Sequence, residues 1–332
     1  MIQVVKRKVR ALQPAALRAY QESHGAGPIR RTLRFAMRVG RSIVFRLRTL
    51  FSAEKVRLLR RNVIYPLRNA VLRGRPLAVH AGGQSFLLAP EGAIPLEMWS
   101  GIYSEKYELE FILGILRTGM TFIDVGANVG LFSLAVSKKI EPDRVFAFEP
   151  SGWTCQRLIQ NARLNNLENL HVTRAALGDY KGEALLQVNA SGKDGLNTIG
   201  RPSHSDSEIN STESVPITTL DLFLRENGRA HVDVMKVDVE GAELLVFRGA
   251  EELLAKSDAP LILYESSMLT EGFGYHPVET MWLLERHGYS FFTIDSRDGR
   301  IKALTGVQVG YTMVIAVKPS HPSYPVLRER AR

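Results

Sequence analysis

From about Gly101 onward the chain predicts a doubly wound α/β fold, on three observations. Short apolar runs of strand length alternate with runs of helical periodicity, the pattern of a parallel sheet covered on both faces. A glycine-rich bend joins the first of those strands to a helix. Two strands near the C-terminus follow one another with no helix between them, as at an antiparallel edge. Taken in order, Tyr107–Leu116 reads as a helix, Thr121–Val125 as a strand and Leu131–Lys138 as a helix. Arg144–Glu149 is a strand, Gly152–Asn165 a helix and Leu170–Ala175 a strand. Glu183–Val188 and Ser214–Thr218 form a hairpin, followed by a helix over Leu220–Glu226. Val232–Val237 and Pro260–Glu265 are strands separated by one helix, Ala242–Lys256. Pro277–His287 is a helix, and Phe291–Ile294 and Tyr311–Val317 are the closing strands.

Ahead of this region the composition changes. Residues 1–75 carry 16 Arg and 3 Lys against only Glu22 and Glu54, a balance of +17 within a whole-chain charge of +9. They read as a basic helical N-terminal extension, broken near Gly25-Ala26-Gly27-Pro28 and Tyr65-Pro66. Leu33, Met37, Val44, Leu47 and Leu50 recur among arginines at roughly helical spacing. Such a stripe fits packing on the main domain, and it equally fits an interfacial helix whose arginines reach an anionic membrane surface. Nucleic acid is not expected as a partner, because no aromatic stacking platform accompanies the charge. Residues 76–100 read as a lead-in hairpin with turns at Gly82-Gly83 and Pro90-Glu91-Gly92, residues 101–320 as the α/β domain and residues 321–332 as a C-terminal tail.

The 332 residues, 45% of them hydrophobic, are enough for a large core. A single cysteine, Cys155, excludes an internal disulfide framework and a Cys-based zinc site. The longest stretches without Lys, Arg, Asp or Glu, Pro76–Pro90 and Ala303–Val317, have 15 residues. A helix needs about 20 apolar residues to span a bilayer. No apolar segment of a secretory signal follows the early basic residues. The expected location is cytoplasmic, with peripheral membrane contact through the basic front end.

The chemistry concentrates at Phe122-Ile123-Asp124-Val125-Gly126-Ala127-Asn128-Val129-Gly130, an apolar strand running through a bend into a helix. A missing side chain at Gly126 permits the turn and close approach of a ligand. The spacing fails the G-x-G-x-x-G pattern of dinucleotide sites. Glu149 ends the next strand, 19 residues after Gly130. An acidic residue there can accept hydrogen bonds from both ribose hydroxyls, which fits a nucleoside that carries no pyrophosphate.

These residues, with Phe148-Glu149-Pro150, Ala175-Ala176-Leu177-Gly178-Asp179, Thr219-Leu220-Asp221 and Met235-Lys236-Val237-Asp238-Val239-Glu240-Gly241-Ala242-Glu243, occur in the order found in the FkbM family of S-adenosylmethionine (SAM)-dependent methyltransferases. The chain resembles that family over roughly Tyr103 to Val317. The resemblance implies a class I SAM-methyltransferase (Rossmann-like) seven-stranded sheet with an antiparallel C-terminal edge. It implies SAM as cofactor, with Asp124, Gly126, Asn128 and Gly130 along its methionine and ribose. Glu149 would hold the ribose hydroxyls, and Ala176, Leu177 and Asp179 would frame the adenine.

Asp238 would face the transferred methyl at the tip of the fourth strand. Asp238, Glu240 and Glu265 are the candidate catalytic groups, a carboxylate near the sulfonium being a plausible base for an acceptor hydroxyl. Apolar surroundings there would raise a carboxylate's pKa. Lys236 reads as a structural partner of Glu265 or Asp124. No metal is expected: Asp238 and Glu265 would suit a hard cation, but no third ligand is evident. His204 and His276 lie in loops within reach of an acceptor, and Trp99, Tyr103 and Tyr107 fit an aromatic lid or core packing equally. The expected acceptor is a small molecule, glycan or glycolipid hydroxyl. The alternatives are a protein or RNA acceptor, or a scaffold that has the fold without catalysis.

Overall fold

A computed structural model describes residues 53–71, 76–81, 83–89, 93–101, 104–189, 197–199, 209–306 and 311–331. The first fifty-two residues, with the break expected near Gly25 and the apolar stripe from Leu33 to Leu50, lie outside the described residues, as do His204 and Tyr103. The chain divides near residue 104 into two compact units.

In the N-terminal unit α1 (Ala53–Leu59) and α2 (Tyr65–Val71) are joined by a π-helical turn, Arg60–Ile64. The break expected at Tyr65-Pro66 is therefore a widened turn instead. The Tyr65 N–H reaches back to Arg60 O, and Pro66, which has no N–H to give, follows without ending the helix. β1 (Leu77–Ala81) and β2 (Gln84–Leu88) form a two-stranded sheet, and their inward residues alternate with more exposed ones. Helix α3 (Ala93–Ser100) occupies the end of the segment read as turns and short strands. Within this unit Trp99 packs on Tyr65 at 5.6 Å and under the Arg60 guanidinium at 4.7 Å.

The second unit begins with α4 (Lys106–Ile115), then β3 (Phe122–Val125), α5 (Leu131–Ser137), β4 (Val145–Phe148), α6 (Gly152–Leu164) and β5 (His171–Thr173). β6 (Ala176–Leu177), β7 (Gly182–Asn189) and β8 (Ile209–Thr218) make a separate three-stranded sheet. α7 (Leu220–Glu226), β9 (Val234–Val237), α8 (Glu243–Arg248), α9 (Glu251–Ala255), β10 (Leu261–Ser266) and α10 (Pro277–Arg286) complete the crossovers. β11 (Ser290–Ile294), β12 (Ile301–Ala303), β13 (Thr312–Val317) and α11 (Tyr324–Arg330) follow, so the expected tail carries a helix.

The main sheet runs β12-β11-β13-β10-β9-β3-β4-β5. It has eight strands rather than the expected seven, because the short β12 pairs antiparallel on β11 at the edge. β13 lies antiparallel between β10 and β11. The remaining seven strands have the order and directions expected of the class I SAM-methyltransferase fold. β3, β4, β9 and β10 are buried along their whole length, as central parallel strands must be. The core gathers Ile123, Phe148, Met235, Phe247, Tyr264 and Leu284. Phe148 meets Phe223 edge to face at 4.7 Å, and Phe247 meets Tyr264 likewise at 5.5 Å.

The single helix expected over Ala242–Lys256 is two helices, split at Gly249-Ala250. A Cβ on Gly249 would lie 1.9 Å from the carbonyl oxygen of Gly178, so the chain turns where two backbones touch. Asp221 then caps the new helix start, accepting the N–H groups of Glu252 and Leu253 at 2.8 and 3.0 Å. This gives the Thr219-Leu220-Asp221 motif a structural role, with Thr219 capping α7 in the same way.

Below the sheet, at the N-terminal ends of β3 and β9, His231 bridges Asp258 and Asp233, each at 3.0 Å, and Asp233 also accepts the Thr121 N–H at 2.7 Å. Partial burial alone would lower the His231 pKa, but the two carboxylates outweigh it and hold it above 6.5. The stabilisation is therefore complete below the unfolded value and is lost as pH rises through the raised native value. The side chain is 47% exposed, so solvent screening limits the effect to about 0.5 kcal/mol. Urea midpoints measured from about pH 6 to pH 9 should fall less steeply in His231→Gln than in the parent protein. Parallel curves would remove the latch from the account.

Candidate functional site

Parallel register decides which side chains meet. Asp124 on β3 is paired with Lys236 on β9, and Lys236 with Leu263 on β10. Side chains alternate faces with a period of two, so Asp124, Lys236 and Leu263 share a face with Glu265, and Asp238 follows Lys236 on it. All of these approach the carboxyl ends of the strands. There the order reverses between β3 and β9, which is the switch point where open α/β sheets take their ligands.

Lys236 is the centre of this group. Its side chain is 4% exposed, and its ammonium donates to Asp238 Oδ2 at 2.9 Å. It lies 3.8 Å from Glu105 Oε1 and 4.9 Å from the centre of the Phe132 ring. The sequence reading paired it with Glu265 or Asp124; its direct partners are Asp238 and Glu105, with Asp124 adding attraction from the neighbouring strand. Burial would discharge such a lysine, but the three carboxylates outweigh that and keep it charged.

The carboxylates respond unequally. Burial would raise Asp238, yet Lys236 overcomes it and holds Asp238 below the usual carboxylate range, opposite to the expected direction. Glu240 is pushed up to about 9 by burial and by the charges of Asp238 and Glu243. Burial likewise raises Glu105 to about 7 and Glu243 to about 7. Glu265, 1% exposed, is raised by burial and by Asp238, Glu240 and Glu243. Asp124, also 1% exposed, is raised by burial; its Oδ2 accepts the Ser133 hydroxyl, and its buried Oδ1 has no donor among the described residues.

The bend itself is tied to the neighbouring strand. Gly126 and Ala127 donate to Phe148 O at 3.0 and 2.9 Å. Asn128 holds a left-handed conformation at φ 50°, and its N–H donates to Glu149 Oε2 at 3.0 Å. Glu149 Oε1 accepts the Ser151 N–H, also at 3.0 Å, so two backbone groups aim this carboxylate at the tip of β4. Asn161, fully buried on α6, donates to Val129 O at 3.0 Å and pins the bend from behind.

The two glycines have packing reasons that the sequence reading did not contain. At Gly126, φ 78°, a Cβ would stand 1.8 Å from Asp238 O. At Gly130, φ 97°, it would stand 2.4 Å from both Leu134 and Leu158. The fold demands both glycines, so neither by its presence argues for a ligand. The second bend is built alike. Glu240 is left-handed at φ 54° and Gly241 at 103°. Glu243 Oε1 accepts Val239 and Gly241 N–H groups at 3.1 and 3.3 Å, and the Tyr275 hydroxyl donates to Gly241 O. Glu243 is thus a turn-holding group.

The structure brings Asp124, Asp238, Glu240 and Glu265 into one electrostatic group around Lys236, and Glu149 beside the bend. The other expected residues stand elsewhere. Ala176 and Leu177 are buried in the three-stranded sheet, with Leu177 in the main core, and Asp179 is exposed on the turn after them. His276 caps α10 by accepting the Val278 N–H, and Tyr107 packs against Gly299. Glu105, Ser133, Ser151 and Asn161 were missed. Ser133 and Asn161 lie on the helices flanking the bend, a signal available from helical spacing; Glu105 carries no motif.

A nucleoside sulfonium suits this site on the chemistry of its donors. A positive ligand would meet Asp124, whose buried Oδ1 has no donor among the described residues, in a group with one lysine and several carboxylates.

Fold and site together define a class I α/β methyltransferase architecture. A model of the methyltransferase FkbM domain matches residues 124–291, half of the chain, and the chain belongs to the FkbM methyltransferase family. It is similar to Methyltransferase 1 of Beauveria bassiana, 27% identical over 152 residues, covering 39% of this chain and 58% of that protein. It is also similar to Methyltransferase sdnD of Sordaria araneosa, 28% identical over 155 residues, covering 39% and 60%. The match thus spans less than two-thirds of either relative. Among solved structures, TYW2 of M. jannaschii in complex with AdoMet is 15% identical, with a TM-score of 0.38, covering 74% of this chain and 86% of that one. Precorrin-6y C5,15-methyltransferase from Geobacter metallireducens is 13% identical, also with a TM-score of 0.38, covering 69% and 92%. Scores this low carry no weight for function.

Removing the Lys236 charge should strand buried carboxylates. Lys236→Met is expected to lose about 3 kcal/mol or more in urea unfolding. The double variant Lys236→Met/Asp238→Asn should lose less than the sum of the single losses, because it removes both ends of the pair. Additive losses would disprove the coupling.

Proposed function

We propose that the protein is a SAM-dependent methyltransferase that acts on a hydroxyl oxygen of a sugar, glycolipid or secondary metabolite. The supporting observation is the gathering of Asp124, Asp238, Glu240 and Glu265 at the carboxyl ends of β3, β9 and β10, at the switch point of the sheet. When bound, SAM supplies a methyl group on a positively charged sulfur, already activated for in-line displacement. The protein's part is to hold and align the reactants and to exclude water.

In this reading Asp124 and the bend at Gly126, Asn128 and Gly130 receive the methionine and ribose portions. Glu149, aimed by the Asn128 and Ser151 N–H groups, takes the ribose hydroxyls. The segment 176–179 would border the adenine through its backbone, the side chains of Ala176 and Leu177 being buried and that of Asp179 exposed. The acceptor oxygen lies against the carboxylates after β9 and β10. Its proton passes to that cluster, where Asp238 is the member held ionised by Lys236. Glu240, which keeps its proton near neutral pH, and Glu265 complete the wall.

The names of the two fungal relatives favour no particular acceptor, and the hydroxyl reading rests on the carboxylates. Protein or RNA acceptors, and a scaffold without catalysis, are the competing readings. The basic residues 1–75 would keep the protein at an anionic membrane or glycan surface on the cytoplasmic side. No helix among the described residues is long and apolar enough to cross a membrane.

Calorimetry with SAM tests the pocket. Asp124→Ala and Glu149→Ala should each weaken binding by about tenfold or more, roughly the loss of one charge-assisted hydrogen bond. Undiminished binding in both, with folding verified by circular dichroism, would defeat the assignment. Incubation with SAM and glycolipid extracts should yield products heavier by about 14 mass units, one CH2.

A further inference from the structure

Asp238, Glu240 and Glu265 come from three places in the chain: the end of β9, the left-handed bend after it, and β10. Each brings a carboxylate oxygen to within 4.8 Å of the other two. Three acidic groups so close repel one another and need a reason to stay. The turn geometry explains the backbone of Glu240 but not why its carboxyl group stands beside two others.

Glu265 supplies the second observation. It is 1% exposed, and both of its carboxylate oxygens are buried with no hydrogen-bond donor among the described residues. A proton held by Glu265 could be donated to Asp238, which would satisfy one oxygen and leave the other without a partner. Buried acceptors in that state are costly, and a group bearing two is unusual. Asp238 and Glu240 are only partly buried, which leaves an approach from solvent, with Glu265 as the floor. The nearest cation, Lys236, is committed to Asp238 Oδ2 and faces Glu105. Asp124 and Glu243 add further negative charge to the same group.

We propose that Asp238, Glu240 and Glu265 form a binding site for one divalent cation of the hard, oxygen-preferring class, such as Mg2+ or Mn2+. The ligand set is all-oxygen and carboxylate-rich, without histidine or cysteine, which selects that class over zinc or copper. The sequence offered two of these ligands on neighbouring strands; the left-handed turn at Glu240 adds the third. The inference concerns the site of the proposed methyl transfer and deepens that reading: the cation would orient an acceptor oxygen against the same carboxylates. It does not depend on SAM, because the cluster stands without it.

The test uses the full chain, stripped with chelator and titrated with Mn2+ while the free ion is followed by electron paramagnetic resonance. The expected result is one ion bound per chain, competed by Mg2+. Glu265→Gln and Glu240→Gln should each weaken binding about tenfold or more. Should Glu265→Gln fail to fold by circular dichroism, the more exposed Glu240→Gln decides. Absence of binding by the parent protein, or equal binding by the folded variants, overturns the site and leaves a proton shared between Glu265 and Asp238. SAM calorimetry on the same samples separates the two readings: lost SAM binding with intact Mn2+ binding sinks the cofactor assignment alone, and the converse sinks the cation.

Discussion

A single buried ammonium sits among carboxylates at the carboxyl ends of β3 and β9, and the site depends on it. Lys236 is enclosed by the sheet and the Phe132 ring, faces Asp238 and Glu105, and is register-paired with Asp124. Without it, the acidic residues that close the strand ends would each need a proton to remain buried. With it, one of them, Asp238, stays ionised while Glu240 and Glu265 are pushed the other way. Different proton affinities thus arise among like groups from position alone, as coupled acid–base sites require.

The bends around this centre share one construction. Each places a non-glycine residue in the left-handed region, Asn128 at φ 50° and Glu240 at 54°, with a glycine one or two residues later (Gly130, Gly241) where a side chain would collide. Each is held by a carboxylate that accepts backbone N–H groups, Glu149 for the first and Glu243 for the second. Left-handed non-glycine residues persist when their surroundings over-determine them, and here both lie at the carboxyl ends of β3 and β9. The acidic residues of the two motifs therefore divide into groups that build the turns and groups that gather at the strand ends.

The βα units were legible in the sequence because apolar period and length separate strand from helix without tertiary information. The strand β9 and the helix α10 fall within two residues of their expected limits. What could not be read depends on distant neighbours. The split between α8 and α9 follows from the Gly178 carbonyl pressing on Gly249, a contact between residues far apart in the chain. β6 has only two residues and exists because β8 comes alongside it. Asp124, Asp238 and Glu240 were legible as candidates from their motifs and Glu265 from its place at a strand tip; that they gather in one group depends on the strand register. The partners of Lys236 were misjudged because Glu105 belongs to no motif; Leu177 and Asp179, which the family resemblance sets at the adenine, are buried in the core and exposed, respectively.

The antiparallel insertion of β13 bears on how the molecule comes into being. β10 and β11 are synthesised first, yet they are joined only through Thr312–Val317, which hydrogen-bonds to both. A nascent chain that has emerged only as far as residue 306 therefore carries two strand borders still waiting for β13, open to the wrong neighbour. Closure of the sheet waits for Thr312–Val317 to leave the ribosome.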